Sequence, residues 1–296
     1  MRNHYECPVN IRGTKLQAAE GAFEELLAIT EMSREGEKVA IIGGGPAGLA
    51  AAYHAQKHGL QATVFEKRET LGGIVRNVIP GFRIGDDAID NDIALIKKTG
   101  AEFVMGKEAP DVKELKAMGF DYIVLACGAE KKGRLNIEGN VMNVIDFLYA
   151  FKNGGELKLG RNVAVVGGGN TAMDAARAAK RAEGVEKVTL VYRRNRRYVP
   201  ADLEELELAI EDGVEFMELV SPVKQANGKL VCNKMKLGDK DASGRRVPVE
   251  TGETVEVREA KTGLTGIFWI DADIHTWKNK NYYSKLTLNC RNVMAT

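Results

Sequence analysis

The sequence has few of the residues that build covalent or metal-bound frameworks. Its 296 residues include four cysteines, Cys7, Cys127, Cys232 and Cys290, and no two of them are close in sequence. This spacing excludes an adjacent redox dithiol, a zinc ribbon and a compact iron–sulfur loop. The sequence therefore predicts no metal site.

Long apolar runs and an excess of one charge are also missing. The most apolar stretch, 39–53, is short and contains four glycines and a proline, so it is not a membrane span. Lys and Arg number 42 against 41 Asp and Glu, which gives a net charge of +1 and argues against a general attraction to nucleic acid or membranes. Residues 1–4 open no apolar stretch, so a cytoplasmic location is expected.

Glycine, in contrast, is abundant, with 32 residues, and it marks an internal repeat. Residues 38–48 read Lys-Val-Ala-Ile-Ile-Gly-Gly-Gly-Pro-Ala-Gly, and residues 162–172 read Asn-Val-Ala-Val-Val-Gly-Gly-Gly-Asn-Thr-Ala. Each copy predicts a buried strand, a glycine turn, an Ala-rich helix and a second strand. The helices are expected over 49–58 and 171–183, and the second strands over 61–66 and 187–192. We therefore predict an α/β fold with two Rossmann-like three-layer dinucleotide-binding domains.

The first glycine turn is a dinucleotide fingerprint, Gly43-x-Gly45-x-x-Gly48. The first glycine makes the turn, the second lets the backbone approach a pyrophosphate, and the third allows close helix–strand packing. Glu66 ends the second strand, where a carboxylate can accept hydrogen bonds from ribose hydroxyls. This copy favours FAD or NAD, and the alternative is a glycine turn in an α/β fold that binds no nucleotide.

The second turn, Gly167-x-Gly169-x-x-Ala172, is followed by a different strand end. Instead of an acid, that end carries arginines, which attract a 2′-phosphate through charge-assisted hydrogen bonds. This copy therefore favours NADP, and the alternative is a solvated basic loop. The arginines are Arg193, Arg194, Arg196 and Arg197.

Other segments carry weaker signals. Apolar spacing predicts a lead-in helix over 15–29, and turn residues predict a β-meander over 222–257. Cys127 ends an apolar strand and is expected to be a core thiol near a cofactor rather than a nucleophile. Asp174 is expected to serve the dipole of the second helix rather than catalysis.

Several spaced segments together resemble one flavoprotein family. These segments are 39–50, 66–73, the Ile-Pro-Gly-Phe-Arg-Ile sequence at 79–84, 121–129, and 167–174 with 192–194. They are similar, in the same order, to the glutamate synthase small-subunit type of FAD- and NADPH-dependent flavoprotein, within the pyridine nucleotide-disulphide oxidoreductase superfamily. The flavin half of dihydropyrimidine dehydrogenase belongs to this type, and the preferred subgroup is that of the proposed selenate reductase flavoprotein subunits. The resemblance covers about residues 8 to 257.

The resemblance implies hydride transfer from NADPH to FAD, with electrons passing to an iron–sulfur-containing domain or subunit. No residue of this chain is assigned a catalytic role, because the work of the protein is to position the two cofactors. The implied FAD-binding residues are Gly43, Gly45, Pro46, Ala47, Glu66, Lys67, Gly73, Arg76, Cys127 and Gly128. The implied NADPH-binding residues are Gly168, Gly169, Asn170, Thr171, Arg193, Arg194 and Arg197.

The expected domain division is a lead-in helix and linker over 1–37, an FAD domain over 38–158, an NADPH domain with the β-meander over 159–257, and a tail over 258–296. The NADPH domain follows, and is nested in, the FAD domain. Only Cys7 precedes the first fingerprint, where family members carry an iron–sulfur segment, so the chain is expected to be a piece of a longer polypeptide. Two alternatives remain: a ferredoxin- or thioredoxin-reductase-like flavoprotein without a redox disulfide, and a non-catalytic nucleotide-binding fragment.

Overall fold

The computed structural model describes residues 9–29, 36–129, 135, 137–139, 141–226, 229–241, 246–257 and 267–269. These residues form two compact units. The first runs to Arg76 and resumes from Ile84 to Gly128, and the second consists of Asn77–Arg83 and the part described from Ala129 onward. No helix among the described residues is long and apolar enough to cross a membrane.

The first unit is built on a four-stranded parallel sheet. Two helices precede it, α1 (Ile11–Gly21) and α2 (Phe23–Ile29). The sheet and its helices follow in the order β1 (Lys38–Ile42), α3 (Pro46–Lys57), β2 (Gln61–Glu66), α4 (Gly73–Asn77), α5 (Asp86–Lys98), β3 (Glu102–Met105), α6 (Val112–Ala117) and β4 (Tyr122–Leu125). The strand order is β3-β2-β1-β4, so the first glycine turn leaves a central strand.

Alternation along β1 sends its side chains to two different cores. Val39 and Ile41 pack with α3 and α5, whereas Ala40 packs with Phe65 and with Leu115 of α6. Helices therefore cover both faces of the sheet, which is the three-layer arrangement of a doubly wound fold.

The second unit has a five-stranded parallel sheet with the order β5-β12-β6-β7-β8, flanked by a three-stranded antiparallel sheet, β11-β10-β9. Its elements are β5 (Met142–Asn143), α7 (Val144–Lys152), β6 (Asn162–Val166), α8 (Asn170–Arg181), β7 (Lys187–Tyr192), α9 (Leu203–Glu211), β8 (Glu215–Glu218), β9 (Val220–Ala226), β10 (Lys229–Lys240), β11 (Arg246–Val257) and β12 (Ile267–Trp269).

The two faces of this parallel sheet are covered differently. Val163 and Val165 of β6 face a core formed with α7, α8 and α9. Ala164 and Val166 face Leu230 and Cys232 of the antiparallel sheet. The prediction of a three-layer α/β fold is confirmed, and the β-meander supplies the third layer here.

The elements that carry the repeat lie close to their predicted positions. Both second strands, β2 and β7, have the predicted bounds, and helices α3 and α8 start at the first residue after each Gly-Gly-Gly turn. The lead-in helix, expected as one piece, is two helices separated at Ala22.

The compact units do not follow the predicted domain boundaries throughout. Residues 129–158, where described, lie in the second unit, together with Asn77–Arg83. Within the predicted tail, strand β12 (Ile267–Trp269) pairs in parallel with both β5 and β6, so the tail contributes to the sheet of the second unit. The rest of the tail, 258–266 and 270–296, lies outside the described residues, as do residues 1–8 and 30–35 of the lead-in segment. The division into domains stays a prediction.

Candidate functional sites on two glycine turns

The first glycine turn is shaped by backbone contacts that only glycine allows. Gly43 has a φ of +113°, and a Cβ there would lie 2.3 Å from the carbonyl oxygen of Ala126. At Gly48 a Cβ would lie 1.8 Å from the carbonyl oxygen of Gly43. Because both atoms belong to backbone, neither clash can be relieved by a rotamer change. These two glycines bring α3 tightly onto the end of β1, as the fingerprint predicts.

Gly45 differs from these two glycines because it faces open space. A Cβ there would meet only the Cα of Gly73, at 3.8 Å. The second Gly-Gly pair lies directly against this turn, with the Gly72 N–H donating to the carbonyl of Gly44 at 2.8 Å. The space in front of Gly45 is thus bordered by backbone without side chains, next to the N-terminus of α3. Such a cradle fits a pyrophosphate, because phosphate oxygens can then reach backbone N–H groups.

Glu66 ends β2 as a buried carboxylate, 7% exposed. Its Oε2 accepts from the N–H of Gly44 at 2.7 Å, and its Oε1 accepts from the N–H of Arg68 at 2.9 Å. Each carboxylate oxygen has capacity for a further hydrogen bond. The acid is therefore held in place by the glycine turn itself, beside the cradle.

The remaining residues expected at this site lie around the turn but differ in their partners. The Arg76 guanidinium donates from Nε to the carbonyl of Leu71 at 2.8 Å and pairs with Asp90. Cys127 is an exposed free thiol, so the expectation of a buried core thiol is wrong. It follows edge strand β4, where no neighbouring strand covers it among the described residues. The other members of the set, Pro46, Ala47, Lys67 and Gly128, are exposed.

The second glycine turn repeats the backbone path with different neighbours. Gly167 has a φ of +145°, and its N–H donates to the carbonyl of Val191 at 3.0 Å. At Gly168 a Cβ would lie 2.5 Å from the ring of Tyr192, the last residue of β7. Gly169 is the N-cap of α8 and has no side-chain cap. The first turn of α8 therefore offers its N–H groups at the end of β6, where an anion is favoured.

Asn170 begins α8 and connects it to α9. Its Oδ1 accepts from the N–H of Asp202 at 3.0 Å, and its Nδ2 lies 3.4 Å from the Asp202 carboxylate. Asp202 is the N-cap of α9, so this pair links the first turns of two helices. No sequence pattern predicted the Asp202 contact. Thr171, the next residue of α8, is partly buried.

The arginines after β7 are divided between surface and interior. Arg193 and Arg197 are exposed, and Arg197 lies over the ring of Tyr198 at 5.9 Å. Arg194 is only 3% exposed, and within the described part of the chain its Nε and Nη1 have no hydrogen-bond partner. Burial, followed by the charge of Arg193, lowers the pKa of Arg194 to about 10. A buried guanidinium with two unsatisfied N–H donors fits an anionic partner, because such donors are costly to leave unpaired.

The segment of the second unit that contains Arg83 also contacts α8. In the sequence, this segment was notable only for its resemblance to the flavoprotein family. Arg83 pairs through Nη1 with Asp174 at 3.2 Å and with Glu205 of α9 at 2.9 Å. Asp174 lies beyond the first turn of α8, so its expected role at the helix dipole is wrong. Burial raises the pKa of Asp174 to about 6, although the Arg83 charge opposes the shift.

Within the described part of the chain, no group of three or more His, Cys, Asp or Glu side chains is arranged to hold a metal ion. Cys127 and Cys232 are the free cysteines of that part, the first exposed and the second buried. The chemistry of the described sites therefore lies in backbone N–H groups, one buried acid and a group of arginines.

Comparison with known proteins agrees with this geometry. The sequence profile of the family described as pyridine nucleotide-disulphide oxidoreductase matches residues 37–265, which include both glycine turns. The oxidoreductase-named protein YgfK of Escherichia coli (strain K12) is 44% identical over 263 residues, covering 86% of this chain and 25% of YgfK.

Two further relatives are named for NADPH-dependent enzymes. The NADPH-Fe(3+) oxidoreductase subunit beta of Geobacter sulfurreducens (strain ATCC 51573 / DSM 12127 / PCA) is 35% identical, over 90% of this chain and 42% of that subunit. The glutamate synthase [NADPH] small chain of Escherichia coli (strain K12) is 33% identical, over 73% of this chain and 50% of that protein. The predicted resemblance to the glutamate synthase small-subunit type is confirmed. The chain spans a quarter to a half of the length of these relatives.

Among solved structures, thioredoxin reductase of Lactococcus lactis superposes with a TM-score of 0.52 at 20% identity, covering 79% of this chain and 76% of that one. At this level of identity the likeness supports the fold alone.

Proposed function

Because this chain belongs to the pyridine nucleotide-disulphide oxidoreductase family, we propose that it is an NADPH-dependent FAD oxidoreductase module. In this proposal NADPH gives up a hydride, FAD supplies the two-electron acceptor when bound, and the electrons pass on to an iron–sulfur-containing partner domain or subunit. The observation that carries the proposal is the pair of glycine turns, one beside a buried acid and the other beside arginines. The names of the relatives, "subunit beta" and "small chain", support a partner subunit.

The first turn suits FAD because of what surrounds Gly45. The space in front of it accepts the pyrophosphate, and the N-terminus of α3 presents N–H groups and the positive end of its dipole. The buried Glu66 carboxylate lies next to this cradle and can accept from ribose hydroxyls. The residues proposed to hold FAD are Gly43, Gly45, Pro46, Ala47, Glu66, Lys67, Gly73, Arg76, Cys127 and Gly128.

The second turn suits NADPH because it combines the α8 N-terminus with cations instead of an acid. The exposed Arg193 and Arg197 can attract the 2′-phosphate, and the buried Arg194 has donors that no described residue satisfies. The proposed NADPH-binding residues are Gly168, Gly169, Asn170, Thr171, Arg193, Arg194 and Arg197. The protein binds and orients the two cofactors, and no side chain of this chain is proposed to transfer a proton.

The visible absorbance spectrum of the full chain, before and after anaerobic addition of NADPH, tests the proposal. A flavin band that bleaches with NADPH is the expected result. A protein that stays colourless after incubation with FAD would contradict the proposed flavin site. A flavin band that NADPH leaves unchanged would contradict the hydride transfer.

The preference for NADPH over NADH tests the arginine site separately. The variant Arg193→Ala with Arg194→Ala is expected to bind NADPH more weakly while its affinity for NADH changes little, since only NADPH has the 2′-phosphate. Arg161→Ala is the control, because this exposed arginine lies at the other end of β6 and pairs with Glu186. An equal loss of affinity for NADPH and NADH in the double variant would refute the 2′-phosphate assignment. An equal loss of NADPH affinity in the control variant would refute it as well.

Electron delivery is tested by stopped-flow mixing of the reduced protein with candidate acceptors. Rapid reoxidation by an iron–sulfur protein, with slow reoxidation by disulfides, is expected. The opposite order would favour the thioredoxin-reductase-like alternative.

A further inference from the structure

The seven residues Asn77–Arg83 belong to the second unit, although the residues on either side belong to the first. Val78 is 4% exposed and joins the core around α7 and α8. The carbonyl of Asn77 accepts from Nδ2 of Asn153 at 2.9 Å, at the end of α7. The segment is therefore fixed to the second unit by burial and by hydrogen bonding before it reaches the charged residues of α8.

Phe82 of this segment lies between two arginines of α8. The guanidinium carbons of Arg177 and Arg181 are 4.8 and 4.4 Å from the ring centroid. Both arginines also pair with Asp212 just after α9, Arg177 at 2.7 Å and Arg181 at 2.6 Å. The ring thus packs against cations that join α8 to α9, a contact that cation–π attraction favours.

Arg83, the last residue of the segment, contacts acidic side chains on both α8 and α9. Its Nη1 lies between the carboxylates of Asp174 on α8 and Glu205 on α9, whose side chains are 8% and 12% exposed. Arg177 approaches Glu205 only to 3.6 Å. Without Arg83, two largely buried carboxylates on neighbouring helices would share a single, more distant cation. Leaving a buried charge uncompensated is strongly unfavourable.

The same two helices meet at the nucleotide end through Asn170 and Asp202. Asn170 is the first residue of α8, and Asp202 is the N-cap of α9. Glu205 lies in the first turn of α9, three residues after Asp202. A change in the spacing of α8 and α9 at Asp174 and Glu205 therefore moves the residues that begin both helices. One of these, Asn170, belongs to the proposed nucleotide site.

From these contacts we infer that Arg83 is a positioning residue for NADPH: by neutralising Asp174 and Glu205 it fixes the start of α8, where the phosphates bind. The inference rests on the proposed function. Arg83 itself touches neither the nucleotide-binding turn nor the arginines after β7 in any contact of the described residues. Its effect on binding passes through α8 and α9.

The test compares NADPH affinity in the full chain by isothermal titration calorimetry. Arg83→Met keeps an unbranched apolar side chain in place of the arginine stem and removes the charge, and we expect the Kd for NADPH to rise about tenfold at pH 7.5. Arg161→Met is the matched control, because Arg161 forms an exposed ion pair with Glu186 in the same unit, at the other end of β6. Its Kd is expected to stay within about twofold of the parent value.

Two rescue measurements separate positioning from a general loss of structure. In the double variant Arg83→Met with Asp174→Asn, no unpaired carboxylate remains on α8, so the affinity is expected to return close to that of the parent. In Arg83→Met alone, the ratio of its Kd to the parent Kd is expected to fall towards one as the pH drops from 8 to 5.5. Asp174 faces Arg83, Arg177 of its own helix and Glu205 of α9. Removing Arg83 makes this buried acid easier to protonate, and protonation removes the repulsion.

The outcomes separate this inference from the proposed function. A parent protein that binds no NADPH would refute the proposed function and this inference with it. A parent that binds NADPH while Arg83→Met binds equally well would refute this inference alone, as would a loss that neither Asp174→Asn nor low pH restores. If the methionine variant does not fold, Arg83→Lys gives the comparison, with a smaller rise of about threefold, because lysine keeps the charge but not the fork of donors.

Discussion

Two glycines of the first fingerprint are predicted to respond in opposite ways to the same substitution. Gly45 has a φ of −78° and a ψ of −177°, which any residue can adopt, and an added Cβ meets only the Cα of Gly73 at 3.8 Å. At Gly48 an added Cβ lies 1.8 Å from a backbone oxygen of Gly43. Gly45→Ala should therefore fold normally and lose the ligand, whereas Gly48→Ala should lose stability.

The magnitudes follow from these distances. For Gly48→Ala, α3 and the end of β1 must separate until the Cβ–oxygen distance grows from 1.8 Å to at least 3.0 Å. Forced separation of well-packed elements costs about 3 kcal/mol. For Gly45→Ala no protein atom must move, and the reduced freedom of the unfolded chain stabilises the protein by about 0.5 kcal/mol. The new methyl group instead occupies the space that a pyrophosphate would need.

Thermal unfolding and the ratio of bound flavin to protein measure the two effects. Gly85→Ala is the matched control for Gly45→Ala, because Gly85 is the N-cap of α5, has a φ of −71° and has no neighbour within 4 Å of an added Cβ. It should keep both its stability and its flavin. Parental flavin content in Gly45→Ala would refute the assignment of this cradle to a ligand. Parental stability in Gly48→Ala would refute the packing argument.

Three further predictions concern the charged cluster on α8. Hydrogen bonds from Arg181 lower the pKa of Asp212. The stability that the Asp212 carboxylate provides should therefore be lost as the pH falls through this lowered folded-state pKa. In thermal unfolding between pH 7 and 3, the variant Asp212→Asn should not show this loss. Asp174 has the opposite shift, to about 6, so lowering the pH from 7 towards 4 should stabilise the parent relative to Asp174→Asn. Phe82→Leu should lower the free energy of unfolding in urea by about 1 kcal/mol, because the contacts with both guanidinium groups are lost. Unchanged pH profiles or an unchanged urea midpoint would contradict the respective assignment.

The sequence predicts local features of this fold well, because they depend on neighbours in the chain. Positive φ at Gly43 and Gly167 follows from turn chemistry, and the bounds of β2 and β7 follow from apolar runs that end at polar residues. The lead-in segment is divided at Ala22, a break that its apolar spacing does not reveal. The conformation of these turns and the bounds of these strands are therefore determined within one βαβ unit.

Contacts between distant segments were not predictable in the same way. The Ile-Pro-Gly-Phe-Arg-Ile sequence could be recognised by resemblance, but its contact with α8 joins Arg83 to Asp174, 91 positions apart. The arginines after β7 read as one basic group, yet Arg194 is buried while Arg193 is exposed. Strand β12 takes an interior position in a sheet, between β5 and β6, although it comes from the predicted tail. Each of these outcomes depends on which element packs nearby, and no local pattern specifies that.

The middle glycine of each turn shows what the shared backbone motif makes room for. At Gly44 an added Cβ would lie 2.6 Å from Cδ2 of Leu71 and 3.1 Å from the Cβ of Glu66, and at Gly168 it would lie 2.5 Å from the ring of Tyr192. Glu66 and Tyr192 are the last residues of β2 and β7, so in both units the missing side chain makes room for the end of the second strand. In the first unit that room brings a carboxylate onto the turn, held by the N–H of Gly44. In the second unit it admits an aromatic ring and leaves the following arginines to set the charge. Under the proposed function, the two copies therefore keep the same glycine turn, and we propose that the end of the second strand decides whether a ribose hydroxyl or a 2′-phosphate is preferred.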